Sequence, residues 1–254
     1  MELLDLEDDR GDDVDMFFGC TNAPCTAGFD SFFLDDNTLV AIEDSDKINS
    51  NFASFVVNAS DADFYLVTSN FFDHAGFLPA GVAFCDCEFL KWGFFGGAHI
   101  DTFLDKNVRI HLATWVAGAD ICDACTLPTN MTATYQRHLI GNVLNQGNLY
   151  LAAGSYNQVV RFGLGNSYSY DINVTNFDGQ NFTATNRAAT GGNFGMNVTA
   201  NNRRLVVHGS FNGGGGDNSA EILGGFRIRN VGGAAGYDAA GIAAATKVSS
   251  VPTG

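Results

Sequence analysis

Cysteine is the residue type whose spacing says most about chemistry in this chain. The six cysteines fall in three close pairs, Cys20/Cys25, Cys85/Cys87 and Cys122/Cys125. An even count in a β-type chain with few charged residues favours disulfides formed in an oxidising compartment. Two cysteines that are two residues apart on an extended strand point to the same face and are poorly placed to bond each other. We therefore predict that the 85/87 pair bonds across to the 122/125 pair, and that the first pair forms its own bridge.

Metal binding is an alternative use for the cysteines, and it is also open to an acidic stretch at the beginning of the chain. Cys-x-x-Cys at residues 122–125 suits zinc, whereas Cys-x-Cys at residues 85–87 is tighter than the usual zinc spacing. Free thiols are the third alternative. Five carboxylates of the acidic stretch could supply hard oxygen ligands to calcium, although the EF-hand pattern is not met: Asp8, Asp9, Asp12, Asp13 and Asp15. The simpler interpretation is a solvated leader, and no other cofactor is predicted.

Motifs of known enzymes are missing from the sequence. It has no G-x-S-x-G elbow, no H-E-x-x-H pair and no P-loop. None of its histidines has another histidine two to four residues later. We expect His138 and His208 in the wall of a barrel, with a haem or metal ligand role as the alternative. The sequence therefore predicts a protein that is not an enzyme, with a hydrolase lacking a recognisable motif as a minor alternative.

Charge is distributed unevenly along the chain. The formal net charge is −15, and a protein this acidic is repelled by nucleic acid and by anionic membranes. Residues 1–46 contain fourteen acidic residues and one arginine, whereas residues 127–254 contain five acidic and eight basic residues, a net of +3. Most phenylalanines precede Leu127, and most tyrosines and glycines follow it. These shifts predict a domain boundary near residue 126.

Four regions follow from these shifts. They are an acidic leader at residues 1–15, a β-rich region at residues 16–126, an antiparallel barrel at residues 127–247 and a short tail at residues 248–254. Strand candidates in the β-rich region are rich in Phe, Val and Ile: Thr38–Ile42, Phe52–Val57, Phe64–Thr68, Phe84–Phe95 and Val108–Val116. The predicted fold class is therefore all-β.

Short alternating segments separated by Asn, Gly and Asp turns fill residues 127–247. One segment has four residues spaced by two, which places them on one buried face of a strand: Tyr168, Tyr170, Ile172 and Val174. Asp178-Gly179 and Asn201-Asn202 tolerate the positive φ of tight hairpins. About eight such segments in succession can close into a small antiparallel barrel with a filled interior.

A series of short motifs occurs in a fixed order within these residues: L-P-x-x-x-T-A-T-Y, I-G-N-V, R-F-G, N-F-D-G-x-N-F, G-S-F-x-G, a Glu before G-G-F, and a closing Y-x-A-x-G-I strand. In this order they resemble the barrel domain of transferrin-binding-protein-like surface proteins of Gram-negative bacteria. The preceding segment C-D-C-E-F-L-K-W-G-F-F-G-G resembles what comes before such barrels in larger bacterial surface proteins. The resemblance implies eight antiparallel strands and a cell-surface protein that binds a protein or haem.

Adjacent phenylalanines and a set of arginines are the candidate interaction residues. A single strand would point one ring outward from each of the pairs Phe71-Phe72 and Phe94-Phe95. Those rings need cover from the same chain or from another molecule. Arg203 and Arg204 belong to the mildly basic region that complements the acidic beginning of the chain. Opposite charge on two parts of one chain can pair within a molecule or head-to-tail between molecules.

These features predict a non-enzymatic extracellular or cell-surface binding protein of a bacterium, with a protein or small ligand at the surface as partner. The alternative is a structural subunit that assembles with copies of itself into a surface layer or filament. No apolar window approaches the length of a transmembrane helix. The acidic first residues lack the basic and apolar segments of a signal peptide, so for a surface location we expect a mature product, a fragment of a longer protein or a substrate of a signal-independent exporter.

Overall fold

The computed structural model of the chain describes residues 126–253 apart from 215 and 232–235, together with separate strands within residues 16–118 and a few positions between residues 78 and 89. The described residues form strands and turns with no α-helix, which confirms the all-β class. Two compact units are present. The first comprises Met1–His74 and Lys91–Ala117, and the second comprises Ala75–Leu90 and Gly118–Gly254.

The first unit contains two sheets. A three-stranded antiparallel sheet is formed by β1 (Met16–Gly19), β2 (Ser31–Leu34) and β3 (Thr38–Ala41). A five-stranded sheet follows in chain order, with β4 (Lys47–Asn49), β5 (Phe52–Asn58), β6 (Asp63–Thr68), β7 (Leu90–Asp101) and β8 (Lys106–Gly118). Four of the five strands predicted for this region are confirmed to within a few residues.

The predicted strand Phe84–Phe95 is wrong in its first half. β7 begins at Leu90, and the described positions from Cys85 to Phe89 are coil and bends. The apolar run suggested a continuous strand, but the backbone N–H groups of Glu88 and Phe89 donate to the carboxylate of Glu221. All three residues belong to the second unit. An amide used in this way cannot also serve a strand ladder.

The second unit is dominated by an eight-stranded antiparallel barrel, as predicted. Its strands are β9 (Met131–Asn145), β10 (Asn148–Phe162), β11 (Ser167–Phe177), β12 (Gln180–Thr190), β13 (Asn193–Ala200), β14 (Arg203–Gly214), β15 (Asp217–Asn230) and β16 (Tyr237–Pro252). Neighbours in sequence pair antiparallel, except β12 with β13, and β16 returns to pair with β9. Because β16 continues past Lys247 to Pro252, the predicted tail joins the last strand.

The barrel is nearly closed, with one seam between β12 and β13. These strands are consecutive in the chain, yet no described ladder joins them. A bulge between Tyr170 and Ile172 shifts the β11–β12 register, and Asn186 within β12 has a φ of 53°. A bulge bends the strand that carries it, which accounts for the departure of β12 from β13.

Side chains of β11 take over the hydrogen bonds that a ladder would make at the seam. The hydroxyl of Tyr170 donates to the carbonyl of Gly195 at 2.6 Å and accepts its N–H at 3.2 Å. The hydroxyl of Tyr168 donates to the carbonyl of Asn193. Arg187 of β12 reaches the carbonyl of Asn197 at 3.4 Å. The edge of β13 is therefore satisfied by side chains instead of backbone.

The barrel interior is filled with aromatic and aliphatic side chains. Phe211 lies at its centre, with ring centroids 5.2 to 6.0 Å from four other rings: Tyr135, Phe162, Tyr168 and Phe194. The predicted buried face of β11 is confirmed, because Tyr168, Tyr170, Ile172 and Val174 are each at most 4% exposed. Tyr156 donates to Gln158 within the same interior at 2.6 Å.

Three two-residue turns lie at one end of the barrel, because successive hairpins alternate between its two ends. They are Gln146-Gly147, Asp178-Gly179 and Asn201-Asn202, and all six residues have positive φ. This backbone conformation matches the twist of the flanking strands. The predicted turns at Asp178-Gly179 and Asn201-Asn202 are therefore confirmed. We refer to these three turns, with the β15–β16 connection beside them, as the turn end.

Candidate interaction surface

A side-chain network built around Asp178 orders the turn end. One carboxylate oxygen of Asp178 accepts the hydroxyl of Tyr150 at 3.0 Å, and the other accepts a guanidinium N–H of Arg203 at 3.2 Å. Asn145 in turn donates to the Tyr150 hydroxyl at 3.5 Å. These residues belong to different hairpins, so the network joins turns that the backbone leaves separate.

The guanidinium of Arg203 also stacks on an aromatic ring. Its central carbon lies 3.5 Å from the centroid of the Tyr237 ring, a cation–π geometry that holds the charge in place. Burial raises the pKa of Tyr237, and the neighbouring Asp178 adds to this effect. The side chains of Arg203 and Asp178 are 18% and 19% exposed, so water and salt screen their attraction less than they screen an exposed ion pair.

Large apolar side chains are exposed around this network. Leu144 and Leu149 face each other across the β9–β10 hairpin and are 48% and 49% exposed. Tyr150 is 37% exposed. Val231 is 47% exposed, and its backbone N–H donates to the carbonyl of Asn202 at 2.7 Å, which places it beside the third turn. Clustered exposed apolar groups next to ordered Arg and Tyr side chains are typical of protein interaction sites.

The opposite end of the barrel also has exposed apolar residues, and it has a smaller network in which Asp217 accepts hydrogen bonds from Lys247 and Ser219. Leu164 and Val251 are 72% and 61% exposed. A shallow open groove of about 520 Å³ lies nearby, and it is formed mainly by small residues at positions 163, 167, 169 and 188–190. Its one arginine, Arg161, bonds Asp171, and this bond together with the N–H of Asn186 holds the pKa of Asp171 below its usual value.

The outer wall of the barrel carries a buried carboxylate. Glu221 alternates with the interior residue Ile222 on β15 and so faces outward, yet it is only 4% exposed. Its two oxygens accept the consecutive backbone N–H groups of Glu88 and Phe89 at 2.6 and 2.9 Å. The ring of Phe89 also packs on Gly214, where an added Cβ would come within 2.7 Å of it. The segment before β7 is therefore fixed to the wall of the barrel.

The cysteine pairing differs from the prediction. Cys85 and Cys87 are bonded to each other, with their Cα atoms 5.2 Å apart. The prediction assumed an extended strand, in which residues two apart are separated by roughly 6.6 Å. This segment is not a strand, and the shorter Cα separation falls within the range of disulfides. Cys20, Cys25, Cys122 and Cys125 lie outside the described residues.

Several other candidate residues can now be placed. Phe94 is 2% exposed and packs edge-on against Trp92, with ring centroids 6.4 Å apart. Arg203 has partners within the barrel, whereas Arg204 is exposed on the outer wall. His138 and His208 are strand residues of β9 and β14. Phe71, Phe72, the ring of Phe95 and the five candidate calcium ligands lie outside the described residues, which hold no group of three or more potential metal ligands.

Sequence reasoning missed the two carboxylates that organise the second unit. Asp178 was noticed only as a turn residue, and Glu221 only as one position in the motif series. Asp178 lies in a barrel region with few acidic residues. This scarcity could have marked Asp178 as a candidate partner for one of the arginines. The partners of Glu221 are more than 130 residues away in sequence, so no local pattern points to them.

The geometry defines an all-β protein with a nearly closed, filled eight-stranded barrel. No protein-family model matches the chain, and no curated protein matches it either. The resemblance to transferrin-binding-protein-like barrels therefore stays a prediction. In the part of the chain that the structure describes, no helix has the length and hydropathy of a membrane span.

Proposed function

We propose that this is a non-enzymatic interaction protein that acts outside the cell or at a bacterial cell surface, and that its turn end contacts the partner. The observation that carries the proposal is the position of Leu144, Leu149 and Val231 around the ordered Asp178–Arg203 network. Arginine and aromatic side chains that are already held in place lose little entropy on binding, and they dominate the energetics of many interfaces.

The filled interior of the barrel supports binding of a partner at the outer surface. Its interior is occupied by rings packed around Phe211, which favours a partner at the rim over a small ligand inside. The Cys85–Cys87 bond and the low content of charged residues, 16%, favour an oxidising, extracellular setting.

A second candidate function is a structural subunit that polymerises, and the seam favours it. Among the described strands, β12 pairs with a neighbour on one side only, and a strand edge without a ladder is a template for pairing with another chain. Electron micrographs of the concentrated protein should then show filaments. Thr185 is exposed on β12, so Thr185→Lys would place a charge on that edge and should abolish them. A protein that forms no filaments at any concentration would exclude this candidate.

The binding proposal is tested with two variants that remove equal numbers of exposed apolar residues. Leu144→Ser/Leu149→Ser alters the turn end, and Leu164→Ser/Val251→Ser alters the opposite end. Each protein is passed over an immobilised surface extract of the producing cells. We expect the turn-end variant to lose binding by about tenfold or more and the control to bind like the original protein. Equal binding by both variants would contradict the proposal.

A further inference from the structure

The outer wall of the barrel carries a charged surface beside the turn end. Arg204 of β14 and Arg229 of β15 stand directly opposite each other in the ladder. Both alternate with interior residues, Leu205 and Ile228, and so point outward. Like charges directly opposite on neighbouring strands repel each other. The folded barrel therefore contains a repulsion between the Arg204 and Arg229 guanidinium groups, and a bound anion would reduce it.

A third arginine contacts the same asparagine as Arg204, from across the seam. Arg187 of β12 donates to the backbone carbonyl of Asn197 at 3.4 Å, and Arg204 donates to the side-chain oxygen of Asn197 at 2.8 Å. Both guanidinium groups therefore contact Asn197, one at its backbone carbonyl and the other at its side chain. Neither of these arginines has a carboxylate partner among the described residues. We refer to Arg187, Arg204 and Arg229 as the arginine patch.

The nearby negative charge is too small to neutralise the patch. Among the residues that the structure describes, Asp238 is the one carboxylate that contacts the patch, through Arg229 Nε at 3.4 Å. The same carboxylate is held by two N–H groups of Arg227, at 3.2 and 2.7 Å. The three arginines of the patch, together with Arg227 and Asp238, carry a local charge of +3, although the whole chain carries −15. The side chain of Arg229 is 52% exposed, so the patch is accessible to a partner.

We propose that the arginine patch binds the acidic first fifteen residues of a second copy of this chain. Residues 1–15 contain eight acidic residues and one arginine, a net of −7. Guanidinium groups bind carboxylates through paired, charge-assisted hydrogen bonds. Every molecule carries both surfaces, so the two are always present in equal number. Such a head-to-tail contact is heterologous and can propagate. It uses the outer wall of the barrel beside the turn end, and its partner is a second copy of this chain, so it goes beyond the proposed function.

The direct test titrates a fluorescent peptide of residues 1–15 with the full-length protein and follows anisotropy. We expect saturable binding that weakens by about tenfold or more as salt rises from about 20 to about 300 mM, because the charges are exposed. Arg204→Gln/Arg229→Gln should weaken binding by a similar factor at low salt. The control Arg137→Gln/Arg161→Gln removes the same charge elsewhere and should bind like the original protein. Unchanged melting temperatures verify that the variants fold.

The outcomes distinguish binding at the patch from non-specific charge attraction, and binding to the acidic segment of a second copy from binding to that of the same chain. Peptide binding that survives Arg204→Gln/Arg229→Gln, or that falls equally in the control, would overturn the assignment of the patch. Light scattering of the full chain at low salt should show a mass above that of the monomer, reduced by the same two substitutions. A chain that binds the peptide yet stays monomeric at every concentration would overturn the second copy as its source.

Discussion

The carboxylate of Glu221 accepts the backbone N–H of Phe89 at 2.9 Å, although 132 residues separate the two in sequence. The adjacent N–H of Glu88 binds the other oxygen at 2.6 Å. Because Glu221 is almost fully buried, both amides would be left without a partner if its side chain were removed. Two charge-assisted bonds therefore fix a non-strand segment against the outside of a barrel that is otherwise held by its own ladders.

Glu221→Ala is expected to destabilise the second unit by about 2 kcal/mol, since it removes two charge-assisted hydrogen bonds from part-buried N–H groups. Glu88→Ala is the matched control, because Glu88 contributes only its backbone N–H and its side chain is exposed. Urea unfolding of both variants measures the difference. A loss in Glu88→Ala as large as that in Glu221→Ala would contradict the anchoring role.

Ile172→Asp is expected to destabilise the barrel by roughly 4 kcal/mol, because it buries an unpaired carboxylate in the interior. Ile172 is 0% exposed, whereas its neighbour Asn173 is exposed on the outer wall. Asn173→Asp therefore introduces the same charge with little effect. Thermal melts of the two variants give the comparison, and similar melting temperatures would refute the assigned faces of β11.

Tyr170→Phe is expected to loosen the seam at a cost of about 1–2 kcal/mol, because the hydroxyl serves both the N–H and the carbonyl of Gly195. Hydrogen exchange should accelerate at residues 193–197 and stay unchanged in β15, which has ladders on both sides. Tyr156→Phe is the control, since its hydroxyl bonds Gln158 in the interior. Seam protection that is unaffected by Tyr170→Phe would mean that a backbone ladder closes the barrel.

Alkaline pH is expected to destabilise the barrel. Burial raises the pKa of Tyr135, Tyr156 and Tyr168 above the ordinary tyrosine value of 10.0. Above that value the unfolded chain loses phenolic protons that the folded chain retains, so the unfolded state is favoured as pH rises. The free energy of unfolding should be level below about pH 10 and fall above it, toward the raised pKa values. Urea unfolding across this range checks the slope.

The phenolate absorbance provides a separate readout of the same effect. Tyrosines that are buried in the folded protein should ionise only as it unfolds, in one step with the loss of strand signal in circular dichroism. Tyr156→Phe should reduce the pH dependence, because that side chain is fully buried. Phenolic titration near the ordinary pKa without unfolding would contradict the burial of these hydroxyls.

Local features of the fold could be read from the sequence, and distant partners could not. The period of two from Tyr168 to Val174 predicted a buried face, and Asn201-Asn202 predicted a turn, because alternation and positive φ depend on adjacent residues. The apolar run after Cys85 led to a wrong strand prediction, because its composition is that of a strand. The backbone N–H groups of Glu88 and Phe89 bind the distant Glu221 instead of a neighbouring strand. The site was harder still, because Asp178, Arg203 and Tyr237 meet only through the closed β9–β16 ladder.

Hydrogen exchange of the full chain mixed with a surface extract of the producing cells tests the proposed binding surface most directly. Binding at the turn end should slow exchange at residues 143–150, 178–180 and 201–203, because contact excludes water from these backbones. Residues 163–167 and 190–193 at the opposite end should exchange as in the free protein. Protection confined to the opposite end, or no protection anywhere in the barrel, would contradict the account.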